Sequence, residues 1–289
     1  MDTLETMRII GQMDTQPAPS AVTVATILER YEREYVPTLA PRTQVDYRRH
    51  IEKLKVAFGD RNPDEMKPRD FAAFLNVPKG KIQRVRQLAV LSSAFTQSVS
   101  VWFWQDRNVL RDVKRIKSKP RDRLVLDAEF EACKAMAPKR VQLAMMLAVM
   151  TGQRQGDIIR FTWAAIRDGA LHLRQAKTGK RLAIALNPEL KRVLGECWKL
   201  KGGGGEYILP TRSGKPYTSE GFRACWQRVQ RKWLASGGAG FHFHDIRALA
   251  ATKCATPEIA MRLLGHSNIA MTLRVYRRGP ERVEALKIG

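Results

Sequence analysis

The chain has 289 residues, 44% of them hydrophobic, enough for one large domain or two modest ones with real cores. It carries 51 lysines and arginines against 28 acids, a formal charge of +23. Such a charge opposes compaction and self-association until a polyanion neutralises it, which makes nucleic acid the first partner to expect. A membrane partner is not expected: no lipidation signal is present, and the longest apolar run, Leu143 to Met150, is too short to span a bilayer. The start of the chain does not show a basic segment followed by an apolar one, so a cytoplasmic location is expected. Cys133, Cys197, Cys225 and Cys254 are scattered, neither in Cys-x-x-Cys pairs nor at zinc-finger spacing from histidine. Reduced thiols and no metal site are the expectation.

Residues 1–20 read as a flexible, slightly acidic tail. From Val22 to Arg107 the pattern is helical. Val24, Ile27, Leu28, Tyr31 and Tyr35 recur at three- and four-residue steps. Pro41 opens a second helix with Val45, Ile51 and Leu54 on its apolar side and Arg42, Arg48, Arg49 and Lys53 beside them. Pro68 opens a third with Phe71, Phe74 and Leu75, and a fourth runs from Lys81 to Trp104. Four helices with short loops predict a helical bundle over 21–110 with arginine- and lysine-rich faces. The run over 113–123, broken by Pro120, predicts a basic linker over 111–124. Lys114, Arg115 and Lys117 make it either a solvated loop or a strap that tracks phosphates.

The remainder, 125–289, predicts a second domain. Helices are expected over Asp127 to Met136 and Lys139 to Thr151, then a strand over Phe161 to Ile166. Ala170 to Gln175 and Arg181 to Leu186 alternate around Lys177-Thr178-Gly179-Lys180 and predict a hairpin. Gly202 to Gly205 reads as a loop tip, and Tyr207 to Pro210 as a further short strand. Ser219 is the expected cap of a basic helix to Leu234 carrying Arg223, Arg228 and Arg231. Three more helices are expected at His244 to Cys254, Pro257 to Leu264 and Ile269 to Arg277, the last two capped by Thr256 and Ser267. The fold class is therefore mainly α with a small antiparallel β-sheet, α+β.

Several residues here suit phosphoryl transfer, which needs positive charge on the non-bridging oxygens, a placed nucleophile and an acid for the leaving oxygen. Arginine meets the first need, because its planar fork binds phosphate bidentately and stays charged. Arg154 follows a Thr-Gly break, and Asp157 three residues on is placed to orient a neighbouring cation. His244 and Arg247 share a helix face. Lys177 sits at a hairpin turn, His266 follows Leu-Gly, and Tyr276 stands among Arg274, Arg277 and Arg278. Each signal alone has an ordinary reading: a surface arginine, a packing histidine, a solvated lysine, an amphipathic-helix tyrosine.

Together, Thr-Gly-x-Arg-x-x-Asp, the hairpin lysine, His-x-x-Arg, Leu-Gly-His and Tyr, in that order, resemble the tyrosine recombinase (phage integrase) family of prophages and mobile elements. The resemblance covers the C-terminal half well and, less specifically, the helical half, which is similar to the family's core-site DNA-binding domain. It implies that Arg154 and Arg247 clamp the scissile phosphate and that Tyr276 is the nucleophile. It implies Lys177 as general acid, with Lys180 the alternative because the turn register is open. His244 matches a phosphate-contacting histidine that accepts the tyrosine proton, and His266 a hydrogen-bonding position nearby. Asp157, in place of the commoner glutamate, matches a supporting position. The implied activity is site-specific DNA strand transfer through a 3′-phosphotyrosyl link, integrating or excising a mobile element, without metal or other cofactor. Implied partners are double-stranded DNA bearing att-like core sites, a homotetramer of the chain on that DNA, and accessory bending or directionality factors. DNA contacts are expected from Arg42, Arg48, Arg49, Lys114, Arg115, Lys117, Arg228 and Arg231. The 20-residue tail is too short for the separate arm-site domain of some members, so arm-site binding is not expected. Two alternatives stay open: a catalytically inactive architectural DNA-binding protein, and a type IB topoisomerase-like enzyme.

Overall fold

The computed structural model describes residues 22–77, 80–113, 123–200 and 205–273. The expected tail, most of the basic linker with Lys114, Arg115 and Lys117, most of the Gly202 to Gly205 loop, and Tyr276 lie outside the described residues. The chain divides into two compact units, Met1–Lys119 and Pro120–Gly289.

The first unit is a four-helix arrangement of α1 (Val24–Glu34), α2 (Pro41–Phe58), α3 (Pro68–Leu75) and α4 (Lys81–Ser100). Proline at the first helical position opens α2 and α3, where its fixed φ and missing N–H cost nothing. Val24, Ile27, Leu28 and Tyr31 of α1 meet Ile51, Leu54 and Phe58 of α2, Phe71 of α3, and Leu91 and Phe95 of α4 in one core. Val45, expected on the apolar side of α2, is exposed. The fourth helix stops at Ser100, short of Trp104, and Phe103 takes a left-handed φ of 55° in the turn beyond it. Arg42, Arg48 and Arg49 are exposed. Arg49, His50 and Lys53 of α2 face Arg86 of α4 across a groove of about 650 Å³.

The second unit holds α5 (Asp127–Ala135), α6 (Lys139–Thr151), the single turn α7 (Gln155–Ile158), and strands β1 (Ile166–Arg167), β2 (Ala170–Arg174) and β3 (Arg181–Ala185). Then follow α8 (Pro188–Lys199), α9 (Ser219–Ala235), α10 (Asp245–Lys253), α11 (Pro257–Leu264) and α12 (Ile269–Met271). The sheet is antiparallel in the order β1-β2-β3, with Leu171 opposite Ile184 and Arg174 opposite Arg181. The helix α6 is apolar nearly all round, and Leu143, Met145, Leu147 and Ala148 are buried at the centre of this unit's core.

Four local expectations are corrected. The strand over Phe161 to Ile166 shrinks to two residues: a 3-10 turn over Trp163–Ala165 takes up the approach, and Asp168 at φ 50° turns the chain back. Tyr207 to Pro210 forms only isolated bridges, Thr162 with Tyr207 and Pro210 with Pro216. Thr218, not Ser219, caps α9, accepting from Gly221 N at 3.0 Å. Asn268, not Ser267, caps α12, accepting from Ala270 N at 2.8 Å. The sequence reading also passes over α8, which Asn187 caps and Pro188 opens. Among the described residues, no helix is long and apolar enough to cross a membrane.

Candidate active site

Two glycines set the site. Gly152 ends α6 at φ 64° and Gly265 ends α11 at φ 67°, a left-handed conformation that only glycine adopts cheaply. They are also points of close approach. A Cβ on Gly152 would stand 3.0 Å from the Leu264 side chain, and one on Gly265 would stand 2.8 Å from Gln175 Nε2. The bare Gly152 therefore lets the Thr-Gly-x-Arg segment pack on Leu263 and Leu264, and the bare Gly265 lets the hairpin residue Gln175 pack on the Leu-Gly-His segment. After Gly152, Arg154 is extended and heads α7.

Arg247 leaves the first turns of α10 and is 1% exposed. Its Nη1 donates to Gly152 O at 2.5 Å and its Nη2 to Leu264 O at 2.5 Å. One guanidinium thus joins the two glycine-bearing segments. Nη2 also lies 3.1 Å from His266 Nε2. Guanidinium carries no lone pair to offer, so His266 Nε2 is the acceptor and the ring proton sits on Nδ1. From there it donates to Thr272 Oγ1 at 2.8 Å.

Burial lowers the His266 pKa to about 4, and repulsion from Arg247, Arg154, Lys180 and His244 adds to the fall. His266 is therefore neutral at pH 7. The same four neighbours show what the fold has assembled: charge from α10, from the α6–α7 break and from the hairpin converges on one histidine.

Arg154 Nη1 donates to Gln175 Oε1 at 3.1 Å. The hairpin turn spans Gln175 to Lys180, with Gln175 N donating to Lys180 O at 2.9 Å and Gly179 N to Gln175 O at 2.8 Å. Lys177 and Lys180 are both exposed on it. Lys180 Nζ comes within 3.4 Å of His266 O, whereas Lys177 makes no hydrogen bond among the described residues. Asp157, expected to orient a cation, instead accepts from Ala176 N at 2.9 Å and so anchors the lysine turn to α7. His244 heads α10 and is exposed. Arg228 and Arg231 are exposed on α9, and Arg228 lines a groove of about 660 Å³ with Arg140, Arg212 and Lys232.

The structure therefore brings Arg154, Lys180, His244, Arg247 and His266 together, and puts Lys177 on the same turn as Lys180. Sequence reasoning missed Gln175, which is fully buried. The signal was present: a polar residue following Leu171 and Leu173 at the inward places of a strand. Among the described residues, no group of three His, Cys, Asp or Glu is placed to hold a metal ion. Cations gathered around a neutral imidazole suit stabilisation of a phosphoryl transition state.

Comparisons with known proteins agree with that chemistry. A family model described as the phage integrase family matches residues 125–281. The Integrase of Escherichia phage lambda is 29% identical over 281 residues, covering 91% of this chain and 78% of that protein. The crystal structure of a lambda integrase dimer bound to a COC′ core site is similar with a TM-score of 0.79 at 27% identity, over 93% of this chain and 100% of that one. A lambda integrase tetramer bound to a Holliday junction gives 0.79 at 27% identity, over 98% of this chain and 83% of that one.

Proposed function

The chain belongs to the phage integrase family and is a tyrosine-type site-specific recombinase, and from that premise we propose how its residues divide the work. Tyr276 attacks the scissile phosphorus and forms a 3′-phosphotyrosyl bond while the bond to the 5′-oxygen breaks. The tyrosine proton passes to His244. The 5′-oxygen leaves with a proton from Lys177. Lys180 is the weaker candidate for that role, since its ammonium is turned towards the His266 carbonyl. A 5′-hydroxyl from a partner duplex then reverses the step, and the phosphotyrosine conserves the bond energy, so no nucleotide is consumed.

Arg154 and Arg247 hold the non-bridging oxygens. Arg247 does so by exchanging part of its bonding to neutral carbonyls for bonding to phosphate. His266, neutral and oriented by Thr272, shares the Arg247 fork and hydrogen-bonds beside the same phosphate. Asp157 supports the site by fixing the lysine turn. The observation that carries this reading is the convergence of Arg247, Arg154, Lys180 and His244 on His266.

The partner is double-stranded DNA with att-like core sites. A helical core-binding domain over 21–110 reaches the DNA through Arg42, Arg48 and Arg49, and the catalytic domain over 125–289 through Arg228 and Arg231. The linker over 111–124 follows phosphates through Lys114, Arg115 and Lys117. The lambda integrase structures, a dimer on a core site and a tetramer on a Holliday junction, support a homotetramer as the working assembly. Accessory bending or directionality factors set integration against excision, in the cytoplasm.

The test is incubation with supercoiled plasmid carrying DNA that flanks the gene, in EDTA, followed by SDS. A covalent protein–DNA adduct is expected, and it vanishes in Tyr276→Phe. Recombinant products beside it separate strand exchange from simple relaxation. Tight binding to a true site without adduct would overturn the catalytic assignment.

A further inference from the structure

Gln175 has no place in the chemistry above, yet it is wired to three of its segments. A buried side-chain amide offers two donors and an acceptor oxygen with two lone pairs, and burial requires that they be used. Here they are. Nε2 donates to Gln153 Oε1 at 2.7 Å and to Leu264 O at 2.9 Å. Oε1 accepts from Arg154 Nη1 at 3.1 Å and from Thr178 Oγ1 at 2.7 Å. The partners lie on the α6–α7 break, the end of α11 and the lysine turn.

The amide is itself held. Gln153 Nε2 donates to Thr151 O and to Leu263 O, both at 2.8 Å, and so cannot swing away from Gln175. Gly265 leaves room for the amide where any side chain would meet it at 2.8 Å. Leu264 O accepts from both Gln175 and Arg247, so the amide and the second arginine share one anchor.

Arginine loses rotamer entropy when it is fixed. An acceptor that fixes it before DNA arrives removes that cost from the bound state. The choice of acceptor matters. A carboxylate would hold Arg154 harder but cancel the charge meant for the phosphate. A neutral amide orients the guanidinium and leaves its charge intact.

We infer that Gln175 is a positioning residue that presets Arg154 for the scissile phosphate through this buried amide network. The inference rests on the recombinase reading given above.

The test compares single-turnover cleavage of two DNA substrates built on the site mapped by the adduct experiment. One carries the ordinary scissile phosphodiester. The other carries a methylphosphonate there, which lacks one anionic oxygen and so asks less of Arg154. Gln175→Met and Gln175→Glu are measured against wild type and Arg154→Ala, with thermal midpoint and DNA affinity as controls. Both Gln175 variants should cleave the phosphodiester roughly 10–100-fold more slowly, Gln175→Met because Arg154 is no longer held in place and Gln175→Glu because the carboxylate offsets the charge meant for the phosphate. On the methylphosphonate they should stay within about threefold of wild type, as Arg154→Ala should in direction. Gln175→Glu keeps the side-chain shape, so it decides the matter should Gln175→Met fail to fold. Equal losses on both substrates would mean general disruption of the site and overturn the inference, as would wild-type rates on the phosphodiester. If wild type itself forms no Tyr276 adduct, the recombinase reading fails and takes this one with it.

Discussion

Each unit of the molecule buries an arginine, and the two are buried differently. Arg30 of α1 is 4% exposed, with its guanidinium 4.9 Å from the ring centre of Trp102 and 4.7 Å from that of Trp104. Its Nε donates to both oxygens of Glu34, at 3.0 and 3.1 Å. Aromatic faces and a carboxylate together absorb that charge. Arg247 is 1% exposed, and it donates to two backbone carbonyls and a neutral histidine. These acceptors of its Nη1 and Nη2 groups carry no formal charge. The pKa of His266 is lowered first by burial and then by Arg247 and the cations near it. Burial alone does not mark a functional cation; the groups gathered around it do.

The comparison breaks or holds most clearly on paired substitutions. Arg247→Gln should lower single-turnover cleavage by roughly 10³-fold, the scale for loss of a preorganised donor to transition-state charge. Arg30→Met should keep cleavage per folded molecule at the wild-type rate. It should lower unfolding stability by about 1–3 kcal/mol, because packing is largely kept and Glu34 is left near the surface. Denaturant titration and adduct formation on the same samples measure both. A cleavage loss in Arg30→Met as deep as in Arg247→Gln would erase the distinction.

His266 sharpens the comparison through pH. Its folded pKa of about 4 lies below the value near 6.5 that it regains on unfolding. Between those values the unfolded chain binds the proton and the folded chain does not, so acid favours unfolding. The stability that depends on neutral His266 is complete above about pH 6.5 and is lost as pH falls towards 4. A fall of that size corresponds to roughly 3 kcal/mol before solvent screening reduces it. The difference in urea midpoint between wild type and the non-titrating His266→Gln should change across that window and be flat above it. A flat difference throughout would mean that neither burial nor the surrounding cations lower the pKa of His266 in the folded chain. For the reaction, no limb from His266 is expected between pH 6 and 8.

Much of this was legible in the chain, and for identifiable reasons. Proline at the first turn and glycine at the end bracket α11, and Gly152 ends α6, so these boundaries fall where the sequence predicts. The reading of β1 failed because its two residues are held by pairing with β2 rather than by any alternation of their own. The helix α8 was readable from Asn187, Pro188 and the spacing of Leu190, Val193, Leu194 and Cys197. In the site, motif order pointed to Arg154, His244, Arg247 and His266. It did not show which groups touch. The bonds of Gln175 reach residues 22 and 89 positions away, and such partners become visible only once the chain is folded. Asp157 went the same way: its spacing from Arg154 suggested a cation, and the fold gave it the backbone N–H of Ala176.

The smallest effect concerns the glycine that admits Gln175. Gly265 and Gly214 share a left-handed φ, 67° and 76°. Alanine at either should cost about 1–2 kcal/mol for that backbone alone. Around Gly214 nothing lies within 4 Å of a new Cβ, so Gly214→Ala should show this cost and no other. At Gly265 the Cβ would stand 2.8 Å from Gln175 Nε2 and 3.1 Å from its Oε1, and the held amide has little freedom to retreat. Gly265→Ala should therefore be destabilised further, by about 1 kcal/mol more. It should also slow cleavage, because displacing the amide displaces Arg154. Equal stability loss in the two alanine variants would mean that the amide yields easily, and would weaken the case that it holds the arginine in place.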